Sequence, residues 1–416
     1  NLNIKETLGY DFNQTNNRVW WDPRSNDGRS SKGVFQRYMM NRSKLNTQTQ
    51  LTYNKTFAEH HNIDVLLGFE TEDYKYDYTY TNGNTYPSYL PEITNAGVSR
   101  GASNINSYRM TSYLGRLNYD YAGKYYVSGS FRRDGSSRLS RDSRWGNFWS
   151  VGASWRIDRE DFMVAASDWL SALTLKVSYG AQGNDNLGTY YASSGLYSVV
   201  SNNGENALVS DRLATPKLKW ETNLNFNAGI DFSLFNNRFS GSFDFFQRRS
   251  KDLLYSRPLA PSLGYNSVDE NVGELKNTGV EIDLKGTLIH TRDFMWRLGL
   301  NLTHYKNVVT DLPLKDMPVS GVHKLAVGRS VYDFYMKQWA GVDPENGDPL
   351  WYKNVKDAND KITGRTTTND YAQADYYYTG KSSLPKVYGG FNTAFSYKGF
   401  ELSTIFAYSI GNYIVD

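Results

Sequence analysis

The chain has 416 residues, with 46 Lys and Arg against 43 Asp and Glu, 33 Tyr, 20 Phe, 10 Trp and no Cys. The near balance of charge, without a basic cluster, argues against a nucleic-acid-binding protein. The lack of Cys excludes a disulfide framework, a thiolate metal site and a Cys nucleophile. No apolar run approaches the roughly 18–20 residues that a transmembrane helix needs, and so aromatic a chain is not expected to be disordered.

Alternation of apolar and polar residues with a period of two runs through the whole chain. Between Leu218 and Phe232 the even positions are apolar and the odd positions are polar, charged or Gly. Successive side chains of a strand point to opposite faces, so this pattern predicts a long two-faced strand. About thirteen strands are predicted in this way, at 2–12, 45–57, 62–74, 108–121, 125–133, 149–157, 173–180, 218–232, 239–248, 280–288, 296–303, 388–397 and 400–409.

The connections between these strands alternate between short and long. Tight turns are predicted at 58–61, 122–124, 235–238, 290–293 and 398–399. Long polar loops are predicted at 13–43, 75–106, 181–217, 256–272 and 310–385. In an antiparallel meander this places the tight turns at one end and the long loops at the other, as in outer-membrane barrels with short periplasmic turns and long extracellular loops.

Two connections need separate treatment. The segment 158–171 is longer than a turn and is predicted to hold a helical turn through 160–163. The segment 310–385 is too long for a structureless loop. We expect Ser330–Gly341 to pair with Asp348–Tyr352 there, across the Pro- and Gly-containing turn between them.

Alternation alone does not distinguish a membrane barrel from a soluble β-sandwich, which also has one apolar face. Three features favour the barrel. Many strands reach the roughly 9–11 residues that cross a bilayer at a tilt, and 39% apolar residues are few for thirteen strands that share a core. Aromatic residues also flank the tight turns, as in an interfacial girdle: Tyr119, Tyr121, Tyr125, Tyr126, Phe232, Phe235, Phe239, Tyr397 and Phe400.

Short motifs then give the chain a specific resemblance. In order they are Arg132-Arg133-Asp134-Gly135-Ser136-Ser137-Arg138, Arg144-Trp145-Gly146, Ala153-Ser154-Trp155-Arg156-Ile157, Val177-Ser178-Tyr179-Gly180 with Gly183-Asn184, Leu218-Lys219-Trp220-Glu221, Asp252-Leu253-Leu254, Asn271-Val272-Gly273 with Asn277-Thr278-Gly279-Val280-Glu281, and Gly389-Gly390-Phe391-Asn392. With these motifs the chain resembles the barrel part of SusC/RagA-type TonB-dependent outer-membrane transporters, strongly over 107–412 and loosely over 1–106.

The resemblance implies an all-β fold, a transmembrane antiparallel β-barrel of about 22 strands with a separate plug domain. Residues 1–416 are therefore expected to be a mid-barrel segment, with the plug and the closing strands outside it. The implied function is TonB-dependent active import of an oligosaccharide or peptide nutrient across the outer membrane of a Gram-negative bacterium. The implied partners are a SusD-like surface lipoprotein, which acts as a lid, and TonB.

The residues themselves offer no enzyme chemistry. No catalytic motif, metal-ligand spacing or phosphate-binding loop is present, and no cofactor is expected. Exposed aromatic rings in the loops are natural platforms for sugars or peptide side chains, although they could instead pack the loops together or against a partner. These candidates for substrate binding are Trp20, Trp21, Tyr86, Tyr89, Tyr190, Tyr191 and Tyr197. The residues expected to face lipid are Val151, Ala153, Trp155, Leu224, Phe226 and Ile230.

Two further motifs have a structural and a functional interpretation. The segment Asp343–Asp348 could bind Ca²⁺ through its oxygen atoms, but its Pro and Asn-Gly favour a turn. The segment Arg132–Gly135 could bind a ligand, but it is expected to end a strand, with Asp-Gly forming the turn.

Two other classes of protein remain open. One is a passive porin or adhesin barrel without energy coupling. The other is a soluble carbohydrate-binding β protein.

Overall fold

The computed structural model describes residues 1–87, 89–314, 317 and 320–415. Within these ranges thirteen strands form one antiparallel sheet, in which each strand pairs with the next one named here. These are β1 (Leu2–Trp21), β2 (Val34–Phe57), β3 (His61–Asn84), β4 (Val98–Tyr121), β5 (Tyr125–Ser136), β6 (Trp145–Arg156), β7 (Leu170–Asn184), β10 (Glu221–Leu234), β11 (Phe239–Lys251), β14 (Glu274–His290), β15 (Phe294–Asp311), β21 (Val387–Tyr397) and β22 (Phe400–Ile410). The prediction of an all-β antiparallel fold with about thirteen long strands is confirmed.

Shorter strands and helical turns fill the connections. The short strands are β8 (Leu196–Asn202), β9 (Glu205–Arg212), β12 (Leu254–Pro258), β13 (Ser267–Asn271), β16 (Asp333–Lys337), β17 (Trp339–Val342), β18 (Pro349–Lys356), β19 (Ile362–Thr368) and β20 (Tyr376–Ser382). The helical turns are one α-helical turn, α1 (Asn26–Arg29), and 3-10 helices at Ile93–Asn95, Ile157–Arg159, Asp161–Ala166, Pro261–Leu263 and Tyr371–Gln373. Within the described ranges, no helix has the length and apolar character to cross a membrane.

The sheet has one apolar and one polar face, because the alternation of each strand is in register with its neighbours. Ala153 of β6 lies between Val127 of β5 and Val177 of β7. On the opposite face, Ser150 lies between Ser130 and Gly180. We call these the apolar face and the polar face throughout.

The two ends of the sheet differ as the spacing predicts. Tight turns occupy 58–60, 122–124, 235–238, 291–293 and 398–399, and all of them lie at one end. The segment 157–169, which holds two 3-10 helices, lies at the same end. The long connections lie at the other end, which we call the loop end.

Two predicted loops are shorter than expected. β1 and β2 pair from Leu2 to Trp21, so only 22–33 connects them, not 13–43. β3 and β4 pair out to Asn84, so 85–97 connects them, not 75–106. The apolar alternation ends near Phe69 while the hydrogen-bonded ladder continues. Pairing of polar strands needs no apolar face, so the end of the pattern did not mark the end of the strand.

The other long connections contain small sheets of their own. β8 pairs with β9 and β12 with β13. In the longest connection, β17 pairs with β18 across the 343–348 turn, as predicted, but the predicted pairing is wrong for the residues before it. β16 pairs with β20 instead, because the chain after Lys337 bends away into a second, three-stranded sheet of β17, β18 and β19.

Candidate substrate-binding face

A row of tyrosines lies on the polar face towards the loop end. Tyr74, Tyr76, Tyr78 and Tyr80 occupy alternate positions of β3, so they share one face of the strand. The ladder places Tyr38 of β2 opposite Tyr80, and Tyr108 of β4 opposite Tyr74. We call these six residues the tyrosine stripe.

The rings of the stripe contact one another and are half-buried. The centroids of Tyr76 and Tyr78 lie 6.3 Å apart along the strand. Across the strands, the centroids of Tyr38 and Tyr80 are 4.8 Å apart, and those of Tyr74 and Tyr108 are 5.2 Å apart. Such ring pairs stabilise the surface beyond their buried area. A tyrosine hydroxyl can both donate and accept hydrogen bonds, and those of Tyr38 and Tyr108 already donate to Gln36 and Glu72.

Ion pairs lie on the same face, one step closer to the tight-turn end. Lys44 Nζ lies 2.7 Å from Glu72 Oε2. Arg132 lies 2.8 Å from Glu70 and 2.7 Å from Asp134. Each of the three carboxylates has a cation beside it, with Arg132 shared by Glu70 and Asp134, so this part of the polar face carries both signs of charge.

A loop residue closes one end of the stripe. Tyr190 stacks on Tyr74 at 6.1 Å and on Tyr108 at 6.1 Å. Arg138 lies 4.0 Å above the ring of Tyr108 and 5.6 Å from that of Tyr190, within the range of a cation–π contact. Its guanidinium also contacts Asp185 at 3.4 Å. Burial and a hydrogen bond with Tyr74 raise the pKa of Tyr190 above its ordinary value, so the phenol stays protonated at neutral pH.

The other predicted loop aromatics divide into packed and exposed side chains, and the prediction is wrong in placing Trp20 and Trp21 in a loop, because they end β1. Trp20 packs edge-on against Tyr86 at 4.9 Å, and Tyr86 is buried, so these two hold the end of β1 against the 85–97 connection. Tyr89 is exposed with the Arg24 guanidinium 4.3 Å from its ring. The remaining exposed rings of the predicted set are Trp21, Tyr191 and Tyr197. Of the seven predicted residues, only Tyr190 contacts the stripe directly, while Tyr191 contacts Tyr190.

Four of the six stripe residues, Tyr38, Tyr76, Tyr78 and Tyr80, lay in segments predicted as loops, so sequence reasoning did not single them out. A signal was present, however: 73–80 reads Asp-Tyr-Lys-Tyr-Asp-Tyr-Thr-Tyr. Tyr at every second position is the strand period carried by a polar residue. A search for apolar alternation alone does not detect it.

Several of the motifs that carry the family resemblance come together at the loop end of β5, β6, β7 and β10: 132–138, 144–146, 183–184 and 218–221. A cluster of buried apolar side chains forms there from Leu139, Phe148, Ala192, Leu218 and Trp220. Trp220 donates a hydrogen bond from Nε1 to the Arg144 carbonyl at 2.8 Å. Ser136 Oγ donates to Asp185 Oδ2 at 2.5 Å. We call this group of residues the loop clasp, because it fixes the loop that carries Tyr190.

Two details of the motifs follow from this packing. The ring of Phe148 lies so close to Gly183 that any side chain at that position would overlap it. The predicted Asp-Gly turn at 134–135 is wrong, because Gly135 pairs with Trp145 within the β5–β6 ladder. Asp134 accepts a hydrogen bond from Arg132 instead of closing a turn.

The segment 343–348 forms the turn between β17 and β18. Asp343 accepts a hydrogen bond from the Glu345 N–H at 2.9 Å, and Asn346 accepts one from the Asp348 N–H at 2.8 Å. These are side-chain-to-backbone turns, as the sequence favours. Among the described residues, no three His, Asp or Glu side chains are grouped as metal ligands.

The residues expected to face lipid share the apolar face. The ladder aligns Val151 with Tyr179 and Phe226, and Trp155 with Leu175 and Ile230. Val151 is 53% exposed and Ile230 is 39% exposed. An apolar face with side chains exposed to this extent is typical of a surface that contacts a membrane or another protein.

The TonB dependent receptor-like β-barrel family model matches residues 1–411. SusC, a TonB-dependent receptor of Bacteroides thetaiotaomicron, is 30% identical over 375 residues, which are 85% of this chain and 36% of that protein. TonB-dependent receptor P39 of Formosa agariphila is 27% identical over 460 residues, covering 99% of this chain and 43% of that protein.

A solved structure agrees closely in fold. The RagAB peptide transporter superposes with a TM-score of 0.86 at 28% identity, over 99% of this chain and 46% of that chain. This chain therefore spans less than half the length of the relatives and of the structure it matches.

Proposed function

The chain belongs to the TonB-dependent receptor-like β-barrel family, and we propose that it forms part of the wall of an active importer in the outer membrane. The two-faced sheet is the observation that carries this proposal. Its apolar face, which includes Val151 and Ile230, meets lipid. Its polar face lines the interior of the barrel, as in transmembrane β-barrels generally.

The polar face supplies the route for the nutrient, an oligosaccharide or a peptide. The tyrosine stripe lies above the level at which the apolar alternation of β3 ends near Phe69. It therefore lines the outer mouth of the barrel, where an incoming molecule is first met. TonB supplies the energy for import through regions outside this sequence.

The experiment compares uptake with and without the proton gradient. A strain that lacks the full-length gene is complemented with it and given labelled peptide and oligosaccharide pools. We expect uptake of one pool to depend on the gene and to stop when a protonophore removes the gradient. Gene-dependent uptake that continues with the protonophore would indicate a passive pore instead. Recovery of the protein in the soluble fraction would contradict both transport functions.

We also propose that a SusD-like lipoprotein covers the loop end. The β8–β9 hairpin supports this, because Tyr197 is 68% exposed, Val199 is 67% exposed and Leu208 is 72% exposed on one side of it. A two-stranded hairpin is marginally stable alone, and exposed apolar patches mark interaction surfaces.

The test is co-purification of the lipoprotein encoded beside the full-length gene. Leu208→Asp should reduce the amount recovered, whereas Asn206→Asp on the same side of the hairpin should have little effect. Equal recovery with both variants would show that the hairpin is not part of the interface.

A further inference from the structure

We propose that the tyrosine stripe is a binding track for an extended peptide that lies along β3. This inference rests on the proposed function and adds to it the class of the nutrient. The family likeness leaves two classes of nutrient open, oligosaccharides and peptides. The spacing of the tyrosine rings along the stripe favours a peptide.

The repeat distance is the first step. Alternate residues of a strand recur about every 6.6 Å, and the Tyr76 and Tyr78 centroids are 6.3 Å apart. From Tyr74 to Tyr80 the four tyrosines of β3 therefore form a row of about 20 Å. An extended peptide has the same two-residue repeat, so every second side chain can fall between successive rings along the whole row. A polymer with a different repeat would lose this register after a few units.

The chemistry of the row is the second step. Tyrosine gives a flat contact surface at low cost in conformational entropy, together with a hydroxyl group. The hydroxyls can bond the N–H and C=O groups of a peptide backbone, which an extended peptide leaves free. Since Glu72 is paired with Lys44, and Glu70 with Arg132, the carboxylates beneath the row repel an anionic side chain less than free carboxylates would.

The shape of the row is the third step. Among the described residues, no loop aromatic stacks on its outer end at Tyr38 and Tyr80, whereas its inner end is closed by Tyr190 and Arg138. A peptide that enters from the loop end therefore meets a stop after about six to eight residues. The track should hold peptides up to this length and gain nothing from longer ones.

The experiment measures binding to the purified full-length protein in detergent. The probes are acetylated, amidated Gly-Leu repeats of increasing length and malto-oligosaccharides of similar lengths. We expect affinity for the peptides to rise with each added Gly-Leu unit and to level off at about six to eight residues. Tyr76→Ala and Tyr78→Ala should each weaken peptide binding about fivefold.

Two controls separate ring contact from damage to the strand. Lys75→Ala and Thr79→Ala alter exposed residues on the opposite face of β3 and should leave affinity unchanged. Tyr78→Phe keeps the ring and should recover most of the affinity lost in Tyr78→Ala. Heat-modifiable migration of the barrel on gels checks that each variant is folded.

The outcomes distinguish this inference from the proposed function. Gene-dependent, protonophore-sensitive uptake together with peptide affinity that the stripe variants do not change would overturn the track and leave the importer standing. Tighter binding of malto-oligosaccharides than of peptides, lost in the same variants, would assign the stripe to glycans and overturn the peptide proposal. Equal losses in the stripe and control variants would show that only the stability of β3 matters.

Discussion

The first four strands and the strands that follow them build the loop end in different ways. β1 to β4 contain 20 to 24 residues each, whereas β5, β6, β7, β10 and β11 contain 12 to 15. Both regions share the apolar alternation near the tight turns. Beyond that level, the first region continues as sheet, and the second breaks into loops that the loop clasp holds together.

The difference shows two ways of satisfying backbone groups at the loop end. In the outer halves of β2 and β3 the ladder continues on both sides of each strand, so this part of the sheet needs no apolar core and can present tyrosines. Beyond the short strands the ladder of the large sheet stops. The loops there form small hairpins such as β8–β9 and depend on buried side chains such as Phe148 and Trp220.

Removing Trp220 from the centre of the loop clasp tests whether the two regions are independent. Trp220→Ala should cost about 3–5 kcal/mol, because it leaves a cavity against Phe148 and removes the hydrogen bond to the Arg144 carbonyl. Hydrogen exchange should increase in 137–144 and 185–195 but not in the outer half of β3. Trp21→Ala, which removes an exposed indole, is the matched control. Faster exchange in the outer half of β3 would show that the two regions are not independent.

Near the tight turns, both regions share the apolar alternation, and we call this part of the sheet the shared band. Substitutions on opposite faces of one strand test which face of the shared band meets lipid. Val151→Arg places a charge on the apolar face and should cost about 2–4 kcal/mol if this face meets hydrocarbon. Ser150→Arg is its neighbour on the polar face, opposite Gly180, and should be tolerated. The fraction of heat-modifiable barrel in membranes is the measurement. Similar losses from both variants would contradict the assignment of the faces.

The sequence predicts the shared band well and the outer parts poorly, for a physical reason. In the proposed membrane arrangement, contact with lipid requires alternation at residues such as Val151 and Ile230, and this alternation is visible in one sequence. The outer half of β3 would then have water on both faces, and there Asp73, Lys75 and Asp77 follow Phe69 at the same parity. The chain remains a strand there, but the hydropathy pattern no longer indicates one.

The candidate site was predicted only in part, because its contacts join residues that are far apart in the sequence. Tyr190 was identified as a loop aromatic, but its partners Tyr74 and Tyr108 belong to different strands. Only the register of β3 against β4 places them together. Similarly, the contact of Arg138 with Asp185 joins residues 47 positions apart, which spacing alone does not predict.

Two glycines test how tightly each face of the shared band is packed. The ion pair between Lys176 and Asp244, at 3.0 Å, crosses directly over Gly229 on the polar face, where a Cβ would overlap both side chains. Gly229→Val should therefore cost about 1–3 kcal/mol. Gly129 faces open space on the apolar face, so Gly129→Val should be neutral or slightly stabilising. Urea midpoints of the refolded full-length protein measure both, and a larger cost at Gly129 would contradict the packing described.

The smallest expected effect concerns the β12–β13 hairpin, a loop element outside the loop clasp. Arg257 donates two hydrogen bonds of 2.9 Å to Glu270 and lowers the pKa of that carboxyl. Since the folded hairpin binds the proton less well than the unfolded chain, this pair stabilises it above the ordinary pKa of about 4.5 and the contribution is lost as the pH falls below that value. The pair is partly exposed, so its contribution is at most about 1 kcal/mol.

Hydrogen exchange in 254–271, corrected for the intrinsic effect of pH, should be faster at low pH in the parent protein. Glu270→Gln should exchange faster at neutral pH and lose most of this pH dependence, and Glu205→Gln on the neighbouring hairpin should behave like the parent. An unchanged pH response in Glu270→Gln would assign the effect to another group.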